Sequence, residues 1–481
     1  MEQPVRRGLE GDQTGDDLLS SHTQKQPFRF KRKLEGDQTL EDLLSSHTQC
    51  QYFMEQKRRF CNVARTPDSL YCGNHAAFCS DSLKPARKRI PCPVDPSHSI
   101  YADCEQKHVK ICNIATERRA MESHPYYCLN CNSGAQPSDA DTDSSVVDPD
   151  ALLSKINSFY SSLGALVAVE PRDVNAPVSD ELRLIEETVV KAVAPAQSSF
   201  KQLRHAQQDA KIVYEMVKHK LLSPSPNCDR PSSIHTVYIE LGAGRGVLGQ
   251  AVSSVSSESS LVLVERSGQR RKADTQLRRA PGGQFTRIRM DIRHCRLSGL
   301  PPLSLEHKRG PKRVVVIAKH LCGVATDLAL RSLETLPEGT ASRGLSIATC
   351  CHHACMWDDY VGKDWLVASG FSRSEFNVLR FWSSWAFTLG STRVSDASDP
   401  QEHAPEAQDQ EKEHQTPALP QSVARPSGVT REAMAECGFK IKRLLDYGRL
   451  RYAREKLGLS ACRVVQYCNP VESPECYLLV G

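Results

Sequence analysis

The sequence predicts an α/β protein: a Rossmann-like parallel sheet preceded by two small cysteine- and histidine-rich modules. Three observations carry that expectation. A strand runs directly into a glycine turn and a helix at "VYIELGAGRGVLGQAV" (237–252). Strand-like runs then alternate with helical patterns to about residue 390, the rhythm of strands joined by crossover helices. Nine of the 19 cysteines crowd between Cys50 and Cys131, a density that calls for cross-linking.

At 481 residues the chain is long enough for two or three folded units with linkers. Apolar residues make up 39% and charged residues 25%, which suits a soluble protein. No run approaches the roughly 18 uncharged apolar residues of a membrane-spanning helix. The opening "MEQPVRRGLEGDQ" lacks the apolar segment of a secretion signal. A reducing compartment therefore favours metal ligation over disulfides. The net charge of +5 is unevenly spread: residues 51–120 hold 12 Lys/Arg against 7 Asp/Glu, and residues 431–456 hold 8 against 4. Such local surfaces suit a polyanion.

Taken in order, "LEGDQTGDDLLSSHTQKQ" (9–26) returns as "LEGDQTLEDLLSSHTQCQ" (34–51). Two polar copies cannot bury a core, so residues 1–49 are expected to be a disordered, duplicated tail. A first module (50–79) offers Cys50, Cys61, Cys72 and His75, a closed tetrahedral set for zinc, with Cys79 as a substitute ligand. A second (89–116) offers Cys92, His98, His108 and Cys112. His108 and Cys112 stand at i, i+4 on one helical face. Ligand order and spacing match the compact Cys-His-His-Cys finger, a type known in RNA-modifying proteins. Cys128 and Cys131 have CxxC spacing without a second pair, which favours a surface loop. "KPARKR" (84–89) fits an import signal or an RNA-facing surface. Residues 133–150 are polar and acidic, a linker. Helical periodicity spans 151–222 and breaks at "SPSPNCDRPSS". Residues 391–430 have the composition of a disordered insertion. After them come a basic helix and two strand-like runs, "ACRVVQYC" and "ECYLLVG".

The glycine stretch carries the chemistry. Gly242, Gly244 and Gly246 let the backbone turn tightly and approach a ligand. The next strand ends at Glu265, placed to accept both ribose hydroxyls of a nucleoside, and a third ends at Asp291, placed to meet an adenine amino group. Such a turn can serve a dinucleotide, but an acid, Glu240, closes the strand just before the first glycine. That acid favours S-adenosylmethionine over NAD. A fourth strand, "RVVVIAKHLCG", and a fifth, "GLSIATCCHHAC", end in ionisable residues. Ligands lie outside the carboxyl ends of parallel strands, so Lys319, His320 and Cys322 are expected to converge with Cys350 to His353. Adjacent histidines of an extended segment point to opposite faces. An active-site wall is thus favoured over a metal site of Cys351, His353 and Cys355.

"AKHLCG", "CCHHAC", "SSWAF" and "LLDYGRLRY", together with both modules, resemble the eukaryotic tRNA methyltransferase family that 2′-O-methylates nucleotide 4 of the acceptor stem. The resemblance covers roughly 50–134 and 180–481, the latter as the methyltransferase domain. It implies S-adenosylmethionine as donor, two structural zinc ions and the tRNA acceptor stem as partner. The donor would meet Glu240, Gly242, Gly244, Gly246, Glu265 and Asp291. Lys319, His320 and His352 are the candidates for handling the acceptor hydroxyl, Lys319 foremost, and the basic helix 440–456 would hold RNA. Residence in nucleus and cytoplasm is expected. The rival readings are a non-catalytic RNA-binding protein on a relic methyltransferase fold, or a methyltransferase acting on protein or DNA. The intact acidic and glycine set disfavours the first. The absence of an Asp/Asn-Pro-Pro-aromatic tetrapeptide after the fourth strand disfavours the second.

Overall fold

The computed structural model describes residues 45–481 except 76–88, 135–145, 171–177, 224–234, 304–311, 388–424 and several shorter pieces. The tail, most of the 133–150 linker, most of the 391–430 insertion, Cys79 and most of "KPARKR" lie outside the described residues. Two compact units result, Met1–Arg119 and Ala120–Gly481.

In the first unit β1 (Phe53–Met54) pairs antiparallel with β2 (Arg59–Phe60), and β3 (Arg89–Pro91) with β4 (Ser99–Tyr101). Helices α1 (Glu105–Ile111) and α2 (Asn113–Glu122) follow, α2 crossing the division. The buried clusters are tiny: Cys50, Cys61, Leu70, Tyr71 and Cys72 in one, Cys92, Ile100 and Cys112 in the other. Cores of this size do not support a fold by burial alone. Arg89 joins the two modules. Its Nε donates to Ser99 Oγ (3.0 Å) and its Nη1 to the Gly73 carbonyl (3.3 Å), with the guanidinium over the Tyr101 ring at 4.7 Å.

The second unit opens with three helices. α3 (Pro149–Leu163) starts at Asp148, whose carboxylate accepts from the Asp150 and Ala151 amides. α4 (Asp180–Val193) is capped by Ser179, and α5 (Phe200–Lys218) by a reciprocal Ser199–Gln202 box; each cap satisfies amides the first turn leaves open. The remaining elements are β5 (His235–Leu241), α6 (Val247–Val255), β6 (Ser260–Val264), α7 (Lys272–Arg279), β7 (Gln284–Ile288), β8 (Lys312–Cys322), α8 (Val324–Ser332), β9 (Ser342–Cys350), α9 (Lys363–Ala368), α10 (Arg373–Trp382), α11 (Arg431–Glu455), β10 (Arg463–Gln466) and β11 (Tyr477–Val480). They build a seven-stranded sheet in the order β10-β11-β9-β8-β5-β6-β7. β5 to β9 run parallel, and β11 is antiparallel to both its neighbours. The Val/Leu/Ile-rich strands are buried on both faces, as parallel strands must be, which gives two apolar cores. Chain direction across the sheet reverses between β5 and β8, and the crevice at that switch is the expected ligand position.

The sheet-bearing unit begins at Ala120, well before residue 180, for a physical reason. Leu152 and Ile156 of α3 bury in a third, aromatic core with Trp357, Phe376, Trp382 and Trp385, and residues 126–132 pack on the loop after β7.

A buried ionic lattice fastens helices to strand ends. Arg449 of α11 is fully buried; its Nη2 and Nε donate to Asp327 of α8 (2.8 and 3.1 Å) and its Nη1 to Asp446 (3.3 Å). Asp446 also receives Arg443 Nη2 (2.6 Å), Thr349 Oγ1 (3.0 Å) and His352 Nε2 (2.7 Å). Burial opposes ionisation of Asp446, but His352 and the two guanidiniums outweigh it and hold the carboxyl well below the usual range. Two carboxylates balance two guanidiniums, and removing one member strands the rest. We expect Asp446→Asn to destabilise the second unit by about 3–5 kcal/mol in chemical denaturation. A loss below about 1 kcal/mol, the level of an exposed pair, would mean the lattice is not structural.

Candidate functional site

The glycine turn after β5 is left-handed at three points, with φ of +66° at Gly242, +49° at Gly244 and +82° at Gly246, conformations that side chains resist. Space is equally tight at Gly242, where a Cβ would lie 2.7 Å from Leu321 Cδ2. The turn therefore abuts the "AKHLCG" end of β8. Glu240 is buried beneath it and its Oε2 accepts from the Gly249 amide (2.8 Å). Burial pushes its carboxyl up to about 8, so it supports the turn and α6 largely as a neutral acid. Arg287 bridges Asp274 and the Gly244 carbonyl (3.0 Å).

Glu265 and Asp291 stand half-exposed after the carboxyl ends of β6 and β7. Glu265 accepts from the Gly244 amide (2.9 Å) and from the Ser267 amide and hydroxyl (2.8 and 2.7 Å). Asp291 accepts from the Arg293 amide (2.9 Å) and lies 3.7 Å from Arg266 Nη1. Two accessible carboxylates beside a close-approach turn fit an adenosyl group: hydroxyl donors at one, an amino donor at the other.

The facing wall comes from β8 and β9. Their pairing shifts register between Ala318 and Leu321, a bulge that releases Lys319 and His320 from the ladder. Lys319 Nζ is paired with Asp209 Oδ1 (2.8 Å) and donates to the His205 carbonyl (2.9 Å), while His320 is exposed. "CCHHAC" does not continue extended. Cys351 takes φ +49° and His352–Ala354 form a 3-10 turn. His352 turns inward onto Asp446 and is buried, while His353 stays half-buried. Burial pushes the His352 imidazole down against the pull of Asp446. It is held there inside the lattice, away from solvent. The set Cys351, His353 and Cys355 does not assemble either: the Cys355 sulfur lies 2.9 Å from Arg449 Nη2, inside the lattice. Cys322, Cys350 and Cys351 come together instead.

Two features escaped the sequence reading. Asp209, the partner of Lys319, is an acid buried on α5 beside Ala206, Ala210, Ile212 and Val213; an acid among such residues was its signal. The Cys128–Cys131 segment is a strap. The Cys128 amide donates to the His294 carbonyl (2.8 Å), and Asn132 Nδ2 to those of Ile292 and Cys295 (2.6 and 2.8 Å), so it clamps the loop that follows Asp291. The basic face expected of α11 is narrower than its composition, with Arg454 and Lys456 exposed near its end. Lys442, Arg443 and Arg449 are buried, Lys442 pairs with Glu475, and Arg451 pairs with Glu455.

Both ligand sets of the first unit fit zinc. Cys50 Sγ and Cys72 Sγ each lie 3.4 Å from His75 Nδ1, and Cys61 Sγ is 4.0 Å from Cys72 Sγ. In the second set, Cys92 Sγ is 3.4 Å from His108 Nε2, His98 Nε2 is 3.1 Å from His108 Nε2, and Cys112 Sγ is 3.7 Å from His98 Nε2. Donors sharing one tetrahedral zinc are spaced about 3.3–3.8 Å apart, given bonds of about 2.0–2.3 Å.

Comparison with known proteins follows the same division. The model of the CCCH zinc finger in TRM13 protein matches residues 48–76, and that of Methyltransferase TRM13 matches 207–481. A Mus musculus protein named tRNA:m(4)X modification enzyme TRM13 homolog is 30% identical over 89% of this chain and 93% of its own length. The Homo sapiens protein of that name is 28% identical over 89% and 93%, and a Vanderwaltozyma polyspora TRM13 is 28% identical over 88% and 95%. The chain belongs to the TRM13 methyltransferase family.

Proposed function

We propose that this methyltransferase moves a methyl group from S-adenosylmethionine to the ribose 2′-hydroxyl of nucleotide 4 in the tRNA acceptor stem. The observation that carries the reading is the abutment of the glycine turn on the β8 bulge, which supports a donor site near Lys319 and His320. The relatives' names, tRNA:m(4)X modification enzyme, support tRNA as substrate. Absence of the amine-methylating tetrapeptide, with "AKHLCG" in its place, supports an oxygen acceptor.

The donor, when bound, supplies an electrophilic methyl on a sulfonium. Gly242, Gly244 and Gly246 would line it, Glu265 its ribose and Asp291 its adenine, with Glu240 bracing the turn. Lys319 is held by an ion pair to Asp209 and a hydrogen bond to the His205 carbonyl. An ammonium so paired orients the acceptor hydroxyl and stabilises developing oxyanion character. His320, exposed two residues before Cys322, is the base within reach of solvent. Positioning accounts for most of the acceleration in such a transfer. An A-form stem is read by shape and 2′-hydroxyls; the two zinc modules supply that contact in this reading, with residence in nucleus and cytoplasm.

Incubation with labelled donor and separate tRNA, DNA and protein pools should label tRNA alone. The bond after nucleotide 4 should then resist alkaline cleavage, because a 2′-O-methyl cannot attack it. A base methyl, or any other nucleotide, would sink the reading. Lys319→Ala should slow single-turnover transfer by roughly 10²–10³, the scale of one lost oxyanion donor, with donor affinity within about twofold; a near-normal rate removes Lys319 from the mechanism. Stripping zinc with a chelator should weaken tRNA binding at least about tenfold and spare donor binding, since metal holds ligand-poor modules folded. Undiminished tRNA binding would give the modules another role.

A further inference from the structure

Cys322, Cys350 and Cys351 form a third cluster that neither the zinc modules nor the proposed transfer uses. Cys322 and Cys350 face each other directly across the parallel ladder of β8 and β9. On a continuing strand Cys351 would project to the opposite side. Its left-handed backbone (φ +49°) instead returns the side chain, and its Sγ comes to 3.4 Å from Cys322 Sγ. All three sulfurs lie within 4.8 Å of one another. That spacing is far longer than a disulfide bond of about 2.05 Å and close to the edge of about 3.8 Å between thiolates on one tetrahedral ion. Cys350 is buried and Cys322 exposed, so the cluster has a closed floor and an open side.

We propose that Cys322, Cys350 and Cys351 bind one zinc ion as three thiolates, with the fourth position open to solvent on the strand end that carries Lys319 and His320. Binding releases the thiol protons to solvent, and the open position is of the kind that takes water or an oxygen ligand.

The test counts metal on the full-length chain. Wild type, Cys322→Ser and Cys351→Gly are purified with zinc, freed of loose metal by gel filtration and analysed by elemental mass spectrometry. Each variant should hold one zinc fewer per chain than wild type. Cys351→Gly should keep the circular-dichroism spectrum of wild type, because glycine accepts the left-handed backbone; this separates lost metal from lost fold. Equal zinc content in all three proteins overturns the site. So does a wild type whose Cys322 and Cys351 resist thiol labelling until reduced, since that marks a disulfide pair. Failure of the two zinc modules would lower all three counts alike and leave the difference untouched.

Discussion

Arg449 holds the carboxyl ends of β8 and β9 at one point. Its guanidinium reaches Asp327, on the helix that leaves β8, and Asp446, which in turn holds Thr349 and His352 at the end of β9. A charge this deeply buried is tolerated only when every partner is in place. The lattice therefore leaves the strand ends few alternatives, and it explains why so many ionisable groups gather there without all being available to a substrate. His352, Arg443 and Arg449 are spent on geometry. Lys319 and His320 stand outside this lattice, at a bulge in the ladder.

The donor side is built on a different constraint. Three left-handed glycines permit a turn that Glu265 and Arg287 grip from the Gly244 amide and carbonyl, and Glu240 props from below. Because the turn touches Leu321, the two halves meet without an intervening layer, as an in-line transfer between two bound groups requires. The strap through Asn132 adds a support that reaches the Asp291 loop from far away in sequence.

Much of this was legible from residue types and spacing. Glycines at Gly242, Gly244 and Gly246, acids at Glu265 and Asp291, and two complete ligand sets are required locally, so they leave a local trace. The five parallel strands show as apolar runs because both faces are buried. What stayed hidden depends on partners distant in sequence. Asp209 and Lys319 are 110 residues apart, and no pattern in either segment names the other. Lys442 and Arg443 of α11 read as basic surface from composition, yet Glu475 and Asp446 claim them. Likewise the left-handed Cys351, which regroups three thiols, is a backbone event that no alternation rule forecasts.

The central claim is that one crevice, lined by the glycine turn and Glu265, holds the methyl donor. Calorimetric titration of S-adenosylhomocysteine into wild type and Glu265→Ala measures it most directly. Loss of charge-assisted hydrogen bonds worth about 1.5–3 kcal/mol predicts a drop in affinity of roughly tenfold to hundredfold, with tRNA affinity unchanged. An affinity within about twofold of wild type would place the donor elsewhere and contradict the account.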